Sequence, residues 1–302
     1  MKRYILENDR LHAEGSELGG ELVSLKTADG TELLWQGGDG YWSGVSPNLF
    51  PVCGRLYGGS FTYGGREYAL PCHGFLKETE MALLEKTEQS VTLYADTAGK
   101  EFTDLAEKFP FSYRLTLTVL LDNDTVRVIY NVTAKDGPMY FSYGGHPGFR
   151  LPMDGIGAFS DWMIDFGTEC DPLQIEITPN GFCGEHLYAF PLEKRRYLRL
   201  EHSLFDIEGV FLKNMSRSAT LRRIPEKSFA GSPVITLEYP DCMTLGLWHD
   251  AGTEAPFVCI EPWHGTPDTE GIPCVFQNKA DIISLASGES FDGGYSIKVD
   301  FD

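Results

Sequence analysis

An acidic residue, Glu261, stands at the end of an apolar run that is typical of a buried strand. Residues 257–260 are Phe, Val, Cys and Ile, and Pro262 and Trp263 follow the acid. A desolvated carboxylate without partners costs roughly several kcal/mol, so its presence there calls for a reason. A carboxylate accepts hydroxyl protons, and an indole face covers the C–H face of a pyranose. Glu261 and Trp263 therefore indicate a sugar site, while a Glu that pairs with an arginine or caps backbone explains the segment equally well.

A histidine between glycines and a proline is the second candidate. Residues 144–148 read Gly-Gly-His-Pro-Gly. The glycines allow close approach of the backbone to a ligand and permit positive φ. Pro147 favours an extended conformation at His146. Histidine transfers protons near neutral pH, so His146 is a candidate acid or base, with a solvated turn histidine as the alternative.

Upstream, Arg55 follows a Cys-Gly pair, and His73 precedes a glycine. Arginine presents a planar fork of donors that suits neighbouring sugar hydroxyls. A surface ion pair for Arg55 and a structural turn for His73 are the alternatives. Cysteines and histidines are also metal ligands, but no pair here has the close spacing of a structural zinc site, so no metal is predicted.

Together these segments resemble the aldose 1-epimerase (galactose mutarotase) family, and most closely its LacX-like branch. The resemblance runs over nearly the whole chain, and the segments occur in the family's order. They are Leu-Trp-Gln at 34–36, Tyr-Trp at 41–42, Ser-Pro-Asn-Leu-Phe-Pro at 46–51, His-Gly-Phe at 73–75, Gly-Gly-His-Pro at 144–147 and Cys-Ile-Glu-Pro-Trp at 259–263.

The resemblance implies a role for each matching residue. His146 matches the family's general acid and Glu261 its general base, and Arg55 and His73 match its sugar-binding residues. The family also has an acidic sugar-binding residue between the acid and the base, for which Asp206 is the candidate by a loose local match.

Mutarotation explains why these residue types would be needed. A base takes the proton of the anomeric hydroxyl while an acid protonates the ring oxygen, and no metal or organic cofactor takes part. The apolar strand should raise the pKa of Glu261, and a nearby carboxylate should keep His146 protonated. Three alternatives stay open: a noncatalytic sugar-binding sandwich, a glycoside hydrolase or lyase, which would need two carboxylates, and a hexose 6-phosphate mutarotase.

Composition limits the partners. The 302 residues carry a formal net charge of −19, which disfavours nucleic acid and anionic membranes, since both need a basic face. The N-terminus has no apolar signal segment, and the seven cysteines are scattered, so we expect a cytoplasmic protein with reduced thiols. A small neutral sugar of the glucose or galactose class is the expected partner, and the chain is expected to be a monomer or a homodimer.

Strand patterns dominate the chain. Residues 113–120 and 125–132 alternate with period two around a turn at 122–124, which predicts an antiparallel hairpin. Similar short runs recur at 21–25, 90–94, 197–200, 234–237, 244–248 and 295–299. Only residues 102–109, ended by Pro110, favour a helix. The pattern predicts an all-β protein, a large antiparallel β-sandwich of the galactose mutarotase type, forming one domain over 1–302.

Overall fold

The computed structural model describes residues 2–302 of the chain. Strands dominate this part of the chain, which also holds one short α-helix and several 3₁₀ turns. In chain order the strands are β1 (Arg3–Glu7), β2 (Leu11–Ser16), β3 (Leu22–Thr27), β4 (Asn48–Leu49), β5 (Ser60–Tyr63), β6 (Arg66–Ala69), β7 (Ala82–Lys86), β8 (Ser90–Asp96), β9 (Tyr113–Asp122), β10 (Thr125–Ala134), β11 (Met139–Phe141), β12 (Tyr143–Gly145) and β13 (Gly148–Arg150). They continue as β14 (Trp162–Asp165), β15 (Leu173–Ile177), β16 (Cys183–Ala189), β17 (Tyr197–Arg199), β18 (Val210–Lys213), β19 (Ser218–Arg223), β20 (Pro233–Glu238), β21 (Thr244–Trp248), β22 (Phe257–His264), β23 (Cys274–Val275), β24 (Ile283–Leu285) and β25 (Ser290–Phe301). The helix is α1 (Thr103–Lys108), and the 3₁₀ turns are Tyr57–Gly59, Leu76–Glu78, Lys100–Phe102, Phe159–Asp161, His202–Phe205, Pro225–Lys227 and Phe276–Asn278.

The predicted hairpin is confirmed as β9 and β10, which pair antiparallel from Asp122↔Thr125 to Tyr113↔Ala134. Buried and more exposed residues alternate along β9, as the period of two requires when one face of a sheet covers a core. The predicted helix is confirmed in shorter form as α1, which ends ahead of Pro110.

Over residues 2–302, the strands form two large antiparallel sheets and three small ones. One large sheet has the order β17-β14-β19-β20-β25-β10-β9-β8-β7. The other has the order β16-β15-β18-β21-β22-β12-β4, and β13 also pairs with β22. Buried side chains from both large sheets, such as Leu117 and Ile260, belong to one apolar core. The predicted β-sandwich class is therefore confirmed.

The strand β22 lies inside the second large sheet, between β21 and the short strands β12 and β13. Seven of its eight residues are buried, Glu261 among them. A strand that is covered on both faces reads as a continuous apolar run rather than an alternating one, which explains its sequence.

Among residues 2–302, no helix is both long enough and apolar enough to cross a membrane. The single domain over 1–302 stays a prediction.

Candidate active site

Glu261 projects from β22 into a cavity of about 410 Å³. Its side chain is 1% exposed, and neither carboxylate oxygen has a hydrogen-bond partner among the described residues. Gly246, its neighbour on β21, leaves the space that the acid occupies, because a Cβ there would lie 3.2 Å from the Glu261 Cβ. A buried carboxylate without partners is costly, so the group is arranged to meet a ligand.

His146 lies opposite Glu261 because two short strands pair with β22 on either side of it. Gly144 of β12 pairs with Trp263, and Gly148 of β13 pairs with Cys259. The break between these strands therefore falls beside Glu261, and His146 Nε2 lies 3.2 Å from Glu261 Oε2. The two side chains are thus in contact, but neither oxygen of Glu261 accepts a hydrogen bond from His146 in this geometry.

The glycines around His146 are needed for close packing rather than for positive φ. A Cβ at Gly144 would lie 2.8 Å from the Pro262 carbonyl oxygen, and one at Gly148 would lie 3.0 Å from the Trp42 ring. Neither glycine has a positive φ. The groups that approach these glycines belong to the protein and not to a ligand. The glycines therefore allow β12 and β13 to pack closely against the other residues of the site.

Aromatic rings enclose the imidazole. Trp42 stacks on His146 with ring centroids 4.7 Å apart, and Trp248 meets its edge at 5.7 Å. His73 contacts it edge-on at 5.4 Å. His146 is 7% exposed, and its Nδ1 has no hydrogen-bond partner among the described residues.

Burial disfavours the charged form of both groups. It lowers the pKa of His146 to about 3, and the nearby Lys77 acts in the same direction. Burial raises the pKa of Glu261 well above its ordinary value, the charge of Glu208 raises it further, and the indole of Trp263 opposes the shift. The expected direction for Glu261 is thus found, whereas the pKa of His146 is lowered rather than raised because desolvation dominates. Both shifts favour the uncharged forms, a protonated Glu261 and a neutral His146.

His73 presents a fixed imidazole to the same cavity. Its Nδ1 accepts the backbone N–H of Gly54 at 3.1 Å, and burial lowers its pKa well below the ordinary value. The neutral ring therefore carries its proton on Nε2, which is left to donate to a ligand.

Arg55 lines the cavity and is exposed. Its guanidinium forms no ion pair and no hydrogen bond with the described residues. A Cβ at Gly181 would lie 2.8 Å from Arg55 Nε, so this glycine leaves the space along which the arginine extends. An arginine with unused donors at a cavity of this kind suits the hydroxyls of a sugar.

The structure does not place Asp206 at this cavity. Asp206 is exposed at the end of the 3₁₀ turn His202–Phe205, whereas Glu208, two residues later, lines the cavity. Burial raises the pKa of Glu208, and the charge of Arg55 opposes that shift. Glu208 is therefore the acid that lines the cavity together with Arg55, and a sugar-binding role for Asp206 stays a prediction.

Trp263 lines the cavity as expected, but it is only 2% exposed and packs against Phe211 at 4.9 Å. Trp42 and Trp248 also line the cavity and are more exposed. They offer more ring surface to a sugar than Trp263 does. Trp42 belongs to a segment that resembles the family, so the sequence did point to it. The resemblance assigned no function to that segment.

One group of potential metal ligands occurs in the described part of the chain. An atom each from His146, Cys259 and Glu261 lie within 4.8 Å of one another. Cys259 and Glu261 share a face of β22, because alternate residues of a strand point the same way. The three residues are close because His146 packs against Glu261, which shares its strand face with Cys259. The absence of a metal stays a prediction.

A family model described as aldose 1-epimerase matches residues 2–164. The chain belongs to the aldose 1-epimerase family. Two LacX proteins of Lactococcus lactis subsp. lactis, one plasmid and one chromosomal, are each 28% identical to this chain, over 97% of it and 98% of their own length.

Solved structures give the same family relationship. A galactose mutarotase related enzyme from Lactobacillus acidophilus superposes with a TM-score of 0.89 at 25% identity, over 99% of this chain and 97% of its own. A galactose mutarotase-like protein from Lactobacillus casei ATCC 334 has a TM-score of 0.89 at 29% identity, over 99% of this chain and 100% of its own. This member of the family therefore shares the whole fold with those proteins.

Proposed function

We propose that this chain is an aldose 1-epimerase that interconverts the α and β anomers of a neutral aldohexose of the glucose or galactose class. The observation that carries the proposal is the 3.2 Å contact between His146 Nε2 and Glu261 Oε2 in the cavity. Opening a sugar ring needs an acid and a base on one substrate, whereas binding alone does not. Family membership supports the same reaction.

The reaction is a balanced exchange of protons. Glu261 takes the proton of the anomeric hydroxyl while His146 donates a proton to the ring oxygen, and the bond between C1 and that oxygen breaks. Rotation about C1–C2 turns the aldehyde, and the reverse transfers close the ring as the other anomer. The pair needs one proton in total: it stands on His146 before the ring opens and on Glu261 afterwards, and ring closure reverses both transfers.

Binding the sugar would fall to the residues around the pair. Arg55, the Nε2–H of His73 and the carboxylate of Glu208 supply donors and an acceptor for hydroxyls. The rings of Trp42 and Trp248 are available to the apolar face of the pyranose.

A neutral sugar is favoured over a sugar phosphate because acids outnumber cations at the cavity. Besides Glu261, three glutamates line it, against Arg55 and Lys77; they are Glu21, Glu78 and Glu208. A phosphate dianion would meet this negative field. We therefore expect kcat/KM for glucose to exceed that for glucose 6-phosphate, and a strong preference for the phosphate ester would contradict the neutral-sugar proposal.

Polarimetry tests the reaction directly. Freshly dissolved α-glucose or α-galactose should reach anomeric equilibrium faster with the wild-type protein than with buffer alone. The matched control is Glu261→Gln protein, purified in the same way and used at the same concentration, which reports any catalysis by surface groups. If the wild-type protein binds sugar but does not accelerate mutarotation, a noncatalytic sugar-binding protein becomes the better explanation.

A further inference from the structure

The segment that carries Arg55 is held by a residue outside the cavity, Asp268. The backbone N–H of Asp268 donates to the Arg55 carbonyl at 2.9 Å. The Asp268 carboxylate accepts the backbone N–H of Tyr57 through Oδ2, also at 2.9 Å. A single residue thus fixes the chain both at Arg55 and two positions beyond it.

Arg55 needs such support because its segment has little structure of its own. It lies between the two-residue strand β4 and the 3₁₀ turn Tyr57–Gly59. Its guanidinium is not held by any ion pair or hydrogen bond of the described residues, so the backbone determines where it points.

Asp268 is itself fixed by a buried ion pair. Its Oδ1 accepts from Lys279 Nζ at 2.6 Å, and the side chains of Asp268 and Lys279 are 7% and 2% exposed. A buried lysine requires a partner, and this one removes rotational freedom from the carboxylate.

Asp268 also connects to the second segment that borders Arg55. Its carbonyl accepts the backbone N–H of Cys183 at 2.8 Å. Cys183 begins β16, two residues after Gly181, the glycine over which the Arg55 side chain extends. One residue therefore holds both the backbone of Arg55 and the turn against which its side chain rests.

We propose that Asp268 is a positioning residue for Arg55: through its hydrogen bonds to the backbone of residues 55 and 57, and with Lys279 as its anchor, it determines the affinity for the sugar. Asp268 does not line the cavity, so it acts on the sugar only through Arg55. The inference rests on the proposed function, since Arg55 is taken to bind the sugar.

The test is a double-mutant cycle in KM and in equilibrium binding. Asp268→Ala combined with Lys279→Met removes the side-chain bonds without leaving an unpaired buried charge. We expect KM to rise about 10-fold, with a smaller change in kcat, because a binding group is misplaced while the proton-transfer pair is intact. In an Arg55→Ala background the same two changes should alter KM by less than about 2-fold, because residues that act through one another are not additive.

Two further variants separate positioning from stability. Asp268→Asn with Lys279→Gln keeps an acceptor for the Tyr57 N–H, so KM should return to within about 3-fold of wild type. Lys213→Met with Asp281→Asn removes another ion pair, which contacts neither Arg55 nor Tyr57, and should leave KM unchanged. If the protein with Asp268→Ala and Lys279→Met does not fold, KM is instead compared between wild type and the protein with Asp268→Asn and Lys279→Gln.

The outcomes distinguish the two proposals. Equal effects of the Asp268 changes with and without Arg55, or a loss confined to kcat and thermal stability, would overturn the positioning role alone. A wild type that binds sugar without catalysis would overturn the enzyme proposal, and the cycle, measured by sugar binding followed through tryptophan fluorescence, would still decide the role of Asp268. A wild type that neither binds nor converts sugar overturns both.

Discussion

His146 and Glu261 meet because the strands on either side of His146 both pair with β22, the strand of Glu261. Gly144 is opposite Trp263 and Gly148 is opposite Cys259, so the interruption between β12 and β13 lies beside the acid. The Ile260 backbone N–H donates to the Pro147 carbonyl at 3.1 Å across this interruption. The sheet therefore continues around the pair, and the geometry of the two side chains is set by backbone pairing rather than by a flexible loop.

Replacing Glu261 by Gln should separate binding from catalysis. Gln keeps the shape and still bonds a hydroxyl, but it cannot accept the anomeric proton. Affinity should change by no more than about 1–3 kcal/mol, while turnover falls about 10²-fold or more. Titration for binding and polarimetry for turnover, on one preparation, check this. Near wild-type turnover in the variant would remove Glu261 from the mechanism.

The same substitution should not destabilise the protein at neutral pH. Because burial raises the pKa of Glu261, the folded state retains a proton that the unfolded chain releases above its ordinary pKa. Stability from this group is thus present at low pH and is lost as pH rises towards the raised pKa. Gln mimics the protonated acid, so the free energy of unfolding at pH 8 should equal or exceed that of wild type, by up to about 1.4 kcal/mol per unit of pKa difference, and Tm should not fall. A marked fall in Tm in calorimetry would contradict this reasoning.

The pH–rate profile should have a broad plateau. Burial disfavours the cationic pair, in which both groups are protonated, and equally the anionic pair, in which neither is. The acid limb should lie below the ordinary histidine pKa and the alkaline limb well above the ordinary glutamate pKa, so kcat should vary little between the two limbs. Stopped-flow or polarimetric rates in buffers of equal concentration measure it. A steep limb centred near the pKa of a solvent-exposed histidine would count against this account of the pair.

Glu208 rather than Asp206 should affect the sugar site. Glu208→Gln removes the negative charge beside Arg55 and replaces a carboxylate acceptor by a weaker amide one, so KM should rise about 10-fold, the effect of one polar contact. It should also shift the alkaline limb to lower pH, since the Glu208 charge raises the pKa of Glu261. Asp206→Asn is the matched control and should leave both unchanged. The reverse pattern would restore Asp206 as the binding acid.

His73→Ala should weaken binding more than catalysis. His73 offers a hydrogen-bond donor to the cavity and holds the Gly54 N–H, next to Arg55, and it has no assigned proton transfer. KM should rise about 10-fold with a smaller loss of kcat, while His12→Ala, at a residue that does not line the cavity, should change neither. Loss of turnover at saturating sugar would instead make His73 the acid and His146 a bystander.

Much of the fold could be predicted from the sequence, because it depends on local patterns. The alternation in β9 and β10 and the Asn123-centred turn between them specify a hairpin that the structure contains. The resemblance pointed to Arg55, His73, His146 and Glu261, and the indole beside the acid pointed to Trp263; all five line one cavity.

Tertiary structure alone decided the relationships between distant segments. The contact of His146 with Glu261 depends on the register of two strands against β22, and the hold of Asp268 on Arg55 depends on a loop that returns to β4 and β16. Asp206 and Glu208 differ by two residues in an irregular connection, where no periodicity indicates which side chain faces inward. The pKa of His146 depends on how fully the rings of Trp42 and Trp248 exclude water from it. Burial and register are properties of the assembled sheets, so they could not be obtained from residue types and spacing.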